Sequence, residues 1–359
     1  MPPALPLGRR PGKEGGRHAK CRFEPGDLPG FILQRSAENR HLRTIAGTFE
    51  NSQALLTPAD AGSARYKRLS RRSFAWGLAA SFTTIPLVAQ QRPRRIVSTA
   101  PSITEALFAL GLGDRVVGVS RYCDYPPQVV KLPKVGSYIK PDLEMIARLA
   151  PDLVVLQTAP PDLTDRLKAL HIAFVEVPHG SLDDVFTGIQ IIAASAGVPD
   201  RSAKLVSQIR NSLQSIQSRA RTMPSPQVIA IVNRKQGTLT DLTAVGPDNY
   251  LNQILEIAGA TNVLAKAGLP RYPHISLETI LRENPDVILD LSSLQDTEAT
   301  RQRARPEVLD LWGQNKSLKA VQSRRVYFGT SNALLVPGPR APEAAEMLFD
   351  FMHSNGAGG

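Results

Sequence analysis

The block at residues 138–155 of this chain recurs at 272–289, and that repeat constrains the architecture more than any other feature of the sequence. In both copies a tyrosine, Tyr138 or Tyr272, stands five positions ahead of the string L-E-x-I-x-R-x-x-P-D, which runs on into branched aliphatics. Asp142 and Ser276 are N-cap types placed just before helical spacing. Leu143, Ile146 and Leu149 then form one apolar face. Glu144 and Glu278 fall in the first turn, where the helix dipole favours a negative charge. Pro151 and Pro285 stop the helices, and the aliphatic runs at 153–156 and 287–289 read as short buried parallel strands. Each block is therefore a loop, a short helix and a core strand, and one block per half predicts two similar lobes. For either glutamate alone, dipole complementation is explanation enough. The matched pair makes a shared surface role an equal reading.

A chain of 359 residues with 42% hydrophobic content has room for two domains of ordinary size. Its net charge of +11 sits entirely at the front: residues 1–95 hold 17 Lys+Arg against 6 Asp+Glu, and residues 96–359 hold 26 of each. A neutral folded part argues against a nucleic-acid role, which needs a basic patch of its own.

Residues 1–64 are rich in Gly, Pro, Ala and Arg without sustained periodicity, so a disordered leader or a mis-assigned start is expected there. Residues 65–90 read as a signal peptide: a basic stretch ending in S-R-R-x-F, an apolar segment at 75–88 and a cleavage site near Ala89. The apolar segment is well short of the ~20 residues that span a bilayer. The Arg71-Arg72 pair suggests the twin-arginine route, with the general secretory route as the alternative. A signal so far from Met1 points to a start downstream, and since the next Met is Met145, to a non-Met codon. Cleavage would leave Cys123 as a lone cysteine, so no intramolecular disulfide is expected, and no lipid-anchor cysteine follows the signal.

Along the rest of the chain, strands are expected near 94–98, 115–119, 173–177, 228–232, 262–264 and 325–328, and helices near 102–111, 162–170, 181–196, 250–259 and 342–353. This alternation predicts doubly wound parallel α/β lobes. Ser102, with Glu105 three positions on, reads as a capping box. The helix expected at 199–221 carries Ala203, Val206, Ile209, Leu213 and Ile216 on one stripe and has no strand directly after it in the first lobe, so it reads as a spine. The organisation expected is a leader at 1–64, a signal peptide at 65–90, an N-terminal lobe at 94–198, a spine at 199–223 and a C-terminal lobe at 224–355.

The string V-G-V-S-R-Y-C-D-Y-P-P at 117–127, preceded by I-V-S-x-x-P-S-x-T-E at 96–105 and followed by Leu143-Glu144, resembles the periplasmic substrate-binding proteins of ABC importers. The resemblance spans about residues 94–355 and falls in the group serving cobalamin, haem and ferric siderophores, nearest the cobalamin type. It implies the class III fold, two Rossmann-like α/β lobes joined by one long helix, with little lobe movement on capture. It implies that Glu144 and Glu278 dock against arginines of the permease, and that the ligand lies between the lobes at the carboxyl ends of strands. Tyr122, Tyr138 and Tyr272 fall at the positions of ligand-holding aromatics, and Gln157, Asn332 and Arg340 complete the contact set. Tyr138 and Tyr272 stand where tryptophans are implied, Gln157 where a further aromatic is, and Arg340 is an approximate match.

These departures leave haem or an iron chelate open. Tyr138 or His274 could ligate haem iron, and Arg121, Arg271 and Arg340 could pair with an anionic chelate. No resident cofactor and no metal cluster are expected. An exported α/β enzyme is the alternative of another class, but no G-x-S-x-G, phosphate loop or paired His–Cys or His–Ser element occurs. Asp124 and Tyr125 would raise the pKa of Cys123 and blunt it as a nucleophile. The expectation is a periplasmic monomer that is not an enzyme, captures cobalamin or a related corrinoid and delivers it to ABC permease subunits.

Overall fold

In a computed structural model of the protein the described residues are 92–157, 161–292, 298–329 and 331–353. They belong to one compact unit, Ala89–Gly359. The leader and signal-peptide expectations at 1–64 and 65–90 lie outside the described residues.

The first lobe runs β1 (Ile96–Ser98), α1 (Pro101–Ala109), β2 (Val116–Val119), α2 (Leu143–Arg148), β3 (Leu153–Gln157), α3 (Pro161–Ala169), β4 (Phe174–Val177) and α4 (Leu182–Ser195). Its four strands are all parallel, in the order β2-β1-β3-β4. The long helix α5 (Pro199–Ala220) follows. The second lobe runs β5 (Gln227–Asn233), β6 (Leu242–Ala244), α6 (Tyr250–Ile257), β7 (Thr261–Asn262), β8 (His274–Ile275), α7 (Leu277–Glu283), β9 (Val287–Asp290), α8 (Glu298–Gly313), α9 (Lys319–Gln322), β10 (Val326–Phe328) and α10 (Ala341–His353). Its sheet is ordered β10-β9-β5-β6-β8, with β7 pairing β5 off this path. The β10, β9 and β5 strands are parallel, whereas β6 runs antiparallel to β5 and β8 antiparallel to β6. This antiparallel edge departs from the all-parallel expectation. Strands of 3 and 2 residues are too short to declare a period of two. Helix α8 was likewise not expected, because Pro306 lies inside it and its apolar residues are not gathered on one face.

Side chains alternate between sheet faces, as strand geometry requires. Val97, Val154 and Leu156 pack into an outer core of the first lobe, and Ile229, Ile231 and Ile288 into one of the second. Ile96, Val155, Val228, Ala230 and Leu289 face the other way, into a single core that continues through α4, α5, α6 and α10. Helix α5 packs on α4 of one lobe and on α6 and α10 of the other. Val206, Ile209, Leu213 and Ile216 are buried as the stripe requires, but Ala203 is exposed and Ser202 is buried beside it. Two lobes with one shared interior resist opening, since a hinge would expose apolar area at about 25 cal/mol per Å².

The capping box read at the start of α1 does not form. The N-cap is Ala100, with no side-chain cap, and Pro101 takes the first turn. Ser102 lies inside the helix, and Glu105 is buried against Arg340, 235 residues away. The guanidinium draws off the carboxylate that a capping box would have used.

Candidate functional site

The three tyrosines converge from both lobes. After β2, the Arg121 amide donates to the Gly136 carbonyl at 2.8 Å and the Tyr122 amide to Ser120 Oγ at 3.3 Å, which fixes the start of that loop. Gly136 has φ +84, and a Cβ there would lie 2.7 Å from the Lys140 carbonyl, so only glycine allows the tight turn that carries Tyr138 at its tip. The Tyr122 and Tyr138 rings are tilted at 56° with centroids 5.9 Å apart, a favoured aromatic geometry, and the two residues keep only 42% and 40% of their surface exposed. In the second lobe the segment carrying Tyr272 is pressed onto Gly246, where a Cβ would lie 2.2 Å from the Pro270 carbonyl. Buried Asn249 holds it there, donating to the Gly246 and Arg271 carbonyls at 2.9 Å each.

The phenols feel one another and the charges around them. Burial raises the phenol of Tyr138, with a further push from Tyr122. Burial raises that of Tyr272 as well, with Arg271 pulling it down and Tyr138 pushing it up from the other lobe. Both hydroxyls are therefore protonated donors at neutral pH. Arg121 lies 5.6 Å over the Tyr122 ring, and Arg271 reaches to within 2.6 Å of where a Cβ on Gly180 would stand. His179, two residues past β4, has its pKa lowered by burial and by Arg271, against an opposing pull from Asp184, so it is neutral at pH 7.

The other expected ligand contacts are tied to the protein itself. Gln157 donates to Ser102 Oγ at 3.1 Å. Arg340 is held by Glu105 and donates to Asn332 Oδ1 at 2.8 Å, and Asn332 donates to Asp124 at 2.6 Å. His274 is exposed, with its Nδ1 3.3 Å from Thr243 Oγ1. Among the described residues no group of three or more His, Cys, Asp or Glu is placed to hold a metal. Two open surface depressions, one around Asp286, Lys319 and Arg325 and one around Gln190, Val206 and Arg210, share no lining residue with the tyrosine loops and do not enclose a small molecule.

Sequence reasoning missed Tyr125, His179 and Glu105. Tyr125 lies in the same string as Tyr122 and faces solvent on one side with Arg340 on the other. His179 follows an expected strand end, which is where the cleft of such a fold opens. For Glu105 no local signal existed.

The repeat glutamates stand where the helix starts place them. Asp142 accepts from the Met145 amide at 3.0 Å and Ser276 from the Thr279 amide at 3.4 Å. Glu144 is exposed and pairs with Arg148 at 2.8 Å. Glu278 is exposed, and hydrogen bonds from the Ser276 hydroxyl and its own amide hold its carboxyl below the usual range.

Cys123 is buried, with its Sγ 3.2 Å from Thr104 Oγ1. Burial, and only last Asp124, pushes its pKa up to about 11, so the cause is desolvation and not the neighbours in sequence. Native protein at pH 8 should leave the Cys123 peptide unmodified by iodoacetamide, whereas unfolded protein should alkylate it fully. Modification at equal rates in both, read by mass spectrometry, would show that the thiol is reached in the native state.

Two α/β lobes sharing one core and joined by a long helix are the class III binding-protein fold, and the relatives of this chain are transport substrate-binding proteins and not enzymes. The chain belongs to the periplasmic binding protein family, whose model matches residues 96–333. It is 30% identical over 269 residues to the ABC transporter substrate-binding lipoprotein YvrC of Bacillus subtilis, covering 74% of this chain and 81% of that protein. It is 27% identical to the vitamin B12-binding protein of Vibrio cholerae, over 76% of this chain and 94% of that one. Among solved structures, the periplasmic heme-binding protein RhuT from Roseiflexus sp. RS-1 superposes with a TM-score of 0.64 at 26% identity, over 73% of this chain and 99% of that chain. Proteins of this kind are exported, bind small ligands and work with the permease subunits of ABC importers.

Proposed function

We propose that this protein captures cobalamin or a related corrinoid between its lobes and delivers it, as a monomer, to its permease, after export through the signal read at 65–90. The observation that carries this is the cluster of Tyr122, Tyr138 and Tyr272, drawn from both lobes. Flat apolar faces with donor tips suit a macrocycle edged with amides, and the relative named for vitamin B12 supports that choice.

A second reading is haem. Among the described residues no carboxylate pairs with Arg121 or Arg271, and Asp184, which like Arg271 lies beside Gly180, is committed to a capping box with Ser181. Two arginines flanking the tyrosines favour a ligand with two carboxylates. Neutral His179 and the tyrosine hydroxyls are groups that could reach iron.

Calorimetric titration of the purified protein with cyanocobalamin and with haemin tests both readings. Saturable binding of cyanocobalamin alone supports the first, and of haemin alone the second. Binding of neither overturns both. Tyr138→Ala should weaken binding of the preferred probe by about 1–3 kcal/mol, from lost ring area and the broken pair with Tyr122. An unchanged affinity would remove Tyr138 from the site.

A further inference from the structure

A buried ion pair crosses the seam between the lobes and plays no part in the ligand reading. Glu105 on α1 and Arg340 just ahead of α10 have side chains only 3% and 11% exposed. Arg340 Nε donates to Glu105 Oε2 at 3.0 Å and Nη2 to Glu105 Oε1, a two-toothed contact. The same Nη2 donates to Asn332, which in turn holds Asp124 of the first lobe. Nη1 faces Glu343 at 3.7 Å. The guanidinium plane lies 4.1 Å from the ring centre of Tyr125. Gly338 closes over the pair, since a Cβ there would come within 3.3 Å of Glu105 Oε2. Three of the five N–H donors of Arg340, on Nε and Nη2, are thus bonded within the protein, and Nη1 is turned to the Glu343 carboxylate.

We propose that Arg340 is a positioning residue. Locked by Glu105, it braces Tyr125 and, through Asn332, Asp124, so that the 121–126 loop with Tyr122 is held in place against the second lobe. The pair is an interlobe strut that sets the width of the cleft before any ligand arrives. Burial raises the pKa of Glu105, against the pull of Arg340, which is the cost of placing a charge in the seam.

Spin labels test the strut without a ligand. The full chain, with Cys21→Ser and Cys123→Ser, takes labels at Val130→Cys and Leu269→Cys, which are 62% and 37% exposed and lie one on each lobe. Distances are compared with Glu105→Gln, with Arg340→Gln and with the double change Glu105→Gln/Arg340→Met, which leaves no unpaired charge buried. The expected result is one narrow distance distribution in the parent that broadens in all three. Affinities for cyanocobalamin and haemin should fall by the same factor, roughly tenfold, in each variant, because one strut is lost however it is broken. A distribution unchanged in the double variant overturns the proposal. So does an Arg340→Gln protein that loses haemin while Glu105→Gln keeps it, since that pattern makes Arg340 a ligand contact. Should a single variant fail to fold, the double variant decides. Should neither probe bind the parent, the cargo reading falls and the distances still judge the strut.

Discussion

Replacing Asp290 with alanine should destabilise the protein by about 3–5 kcal/mol, the largest loss expected from any single polar side chain in the second lobe. Asp290 ends β9 with no exposed surface. Its Oδ2 accepts from Arg234 Nε and from Trp312 Nε1, both at 2.9 Å. Its Oδ1 accepts from the Ser292 amide at 3.2 Å and the Ser292 hydroxyl at 2.6 Å. The Arg234 side chain is itself only 4% exposed and donates onward to the Thr238 carbonyl at 3.3 Å, pinning the loop after β5. Alanine would leave a buried guanidinium without a counter-charge and an indole N–H without an acceptor. The double change Asp290→Asn/Arg234→Met should be milder, because no charge then remains buried. Urea unfolding followed by circular dichroism measures both. A loss below about 1 kcal/mol for Asp290→Ala would mean that this buried site takes up water on mutation and that the pair is not dry.

The largest functional effect is expected from Glu144→Ala together with Glu278→Ala. If these carboxylates dock the permease, uptake in cells should collapse while the affinity of the pure protein for its ligand stays within about twofold, since both side chains are far from desolvated and touch no tyrosine of the cleft. The two sites are not equivalent. Glu144 is partly neutralised by Arg148, whereas Arg282, at the matching position of the second lobe, turns to Glu283 at 3.6 Å and leaves Glu278 with its charge. Glu278→Ala alone should therefore cost more uptake than Glu144→Ala alone. Uptake of labelled ligand in a strain lacking the native protein reads this directly. Lost ligand affinity in the double variant would refute the docking assignment.

Much of this architecture was legible locally. The repeated block announced itself through spacing, and its caps, proline stops and aliphatic strands formed as their residue types require. Tyr122, Tyr138 and Tyr272 could be singled out because each lies in a loop next to a recognisable element. Gln157, Asn332 and Arg340 could not be sorted, since a polar side chain near a strand end looks the same whether it faces a ligand or a partner in its own chain. The antiparallel strands β6 and β8 and helix α8 were invisible because short or weakly patterned segments carry no period.

What the sequence determined by itself was everything encoded within a few neighbours: two lobes, their strands, the helix between them, and the aromatic and acidic residues each lobe presents. Only the tertiary structure decided that Glu105 turns to Arg340, that Asp290 gathers Arg234 and Trp312, and that Tyr122 packs on Tyr138. The physical reason is range. Periodicity, capping and proline stops act over one or two turns, whereas a buried charge finds its counter-charge only when packing brings distant segments together and leaves it no water to choose instead.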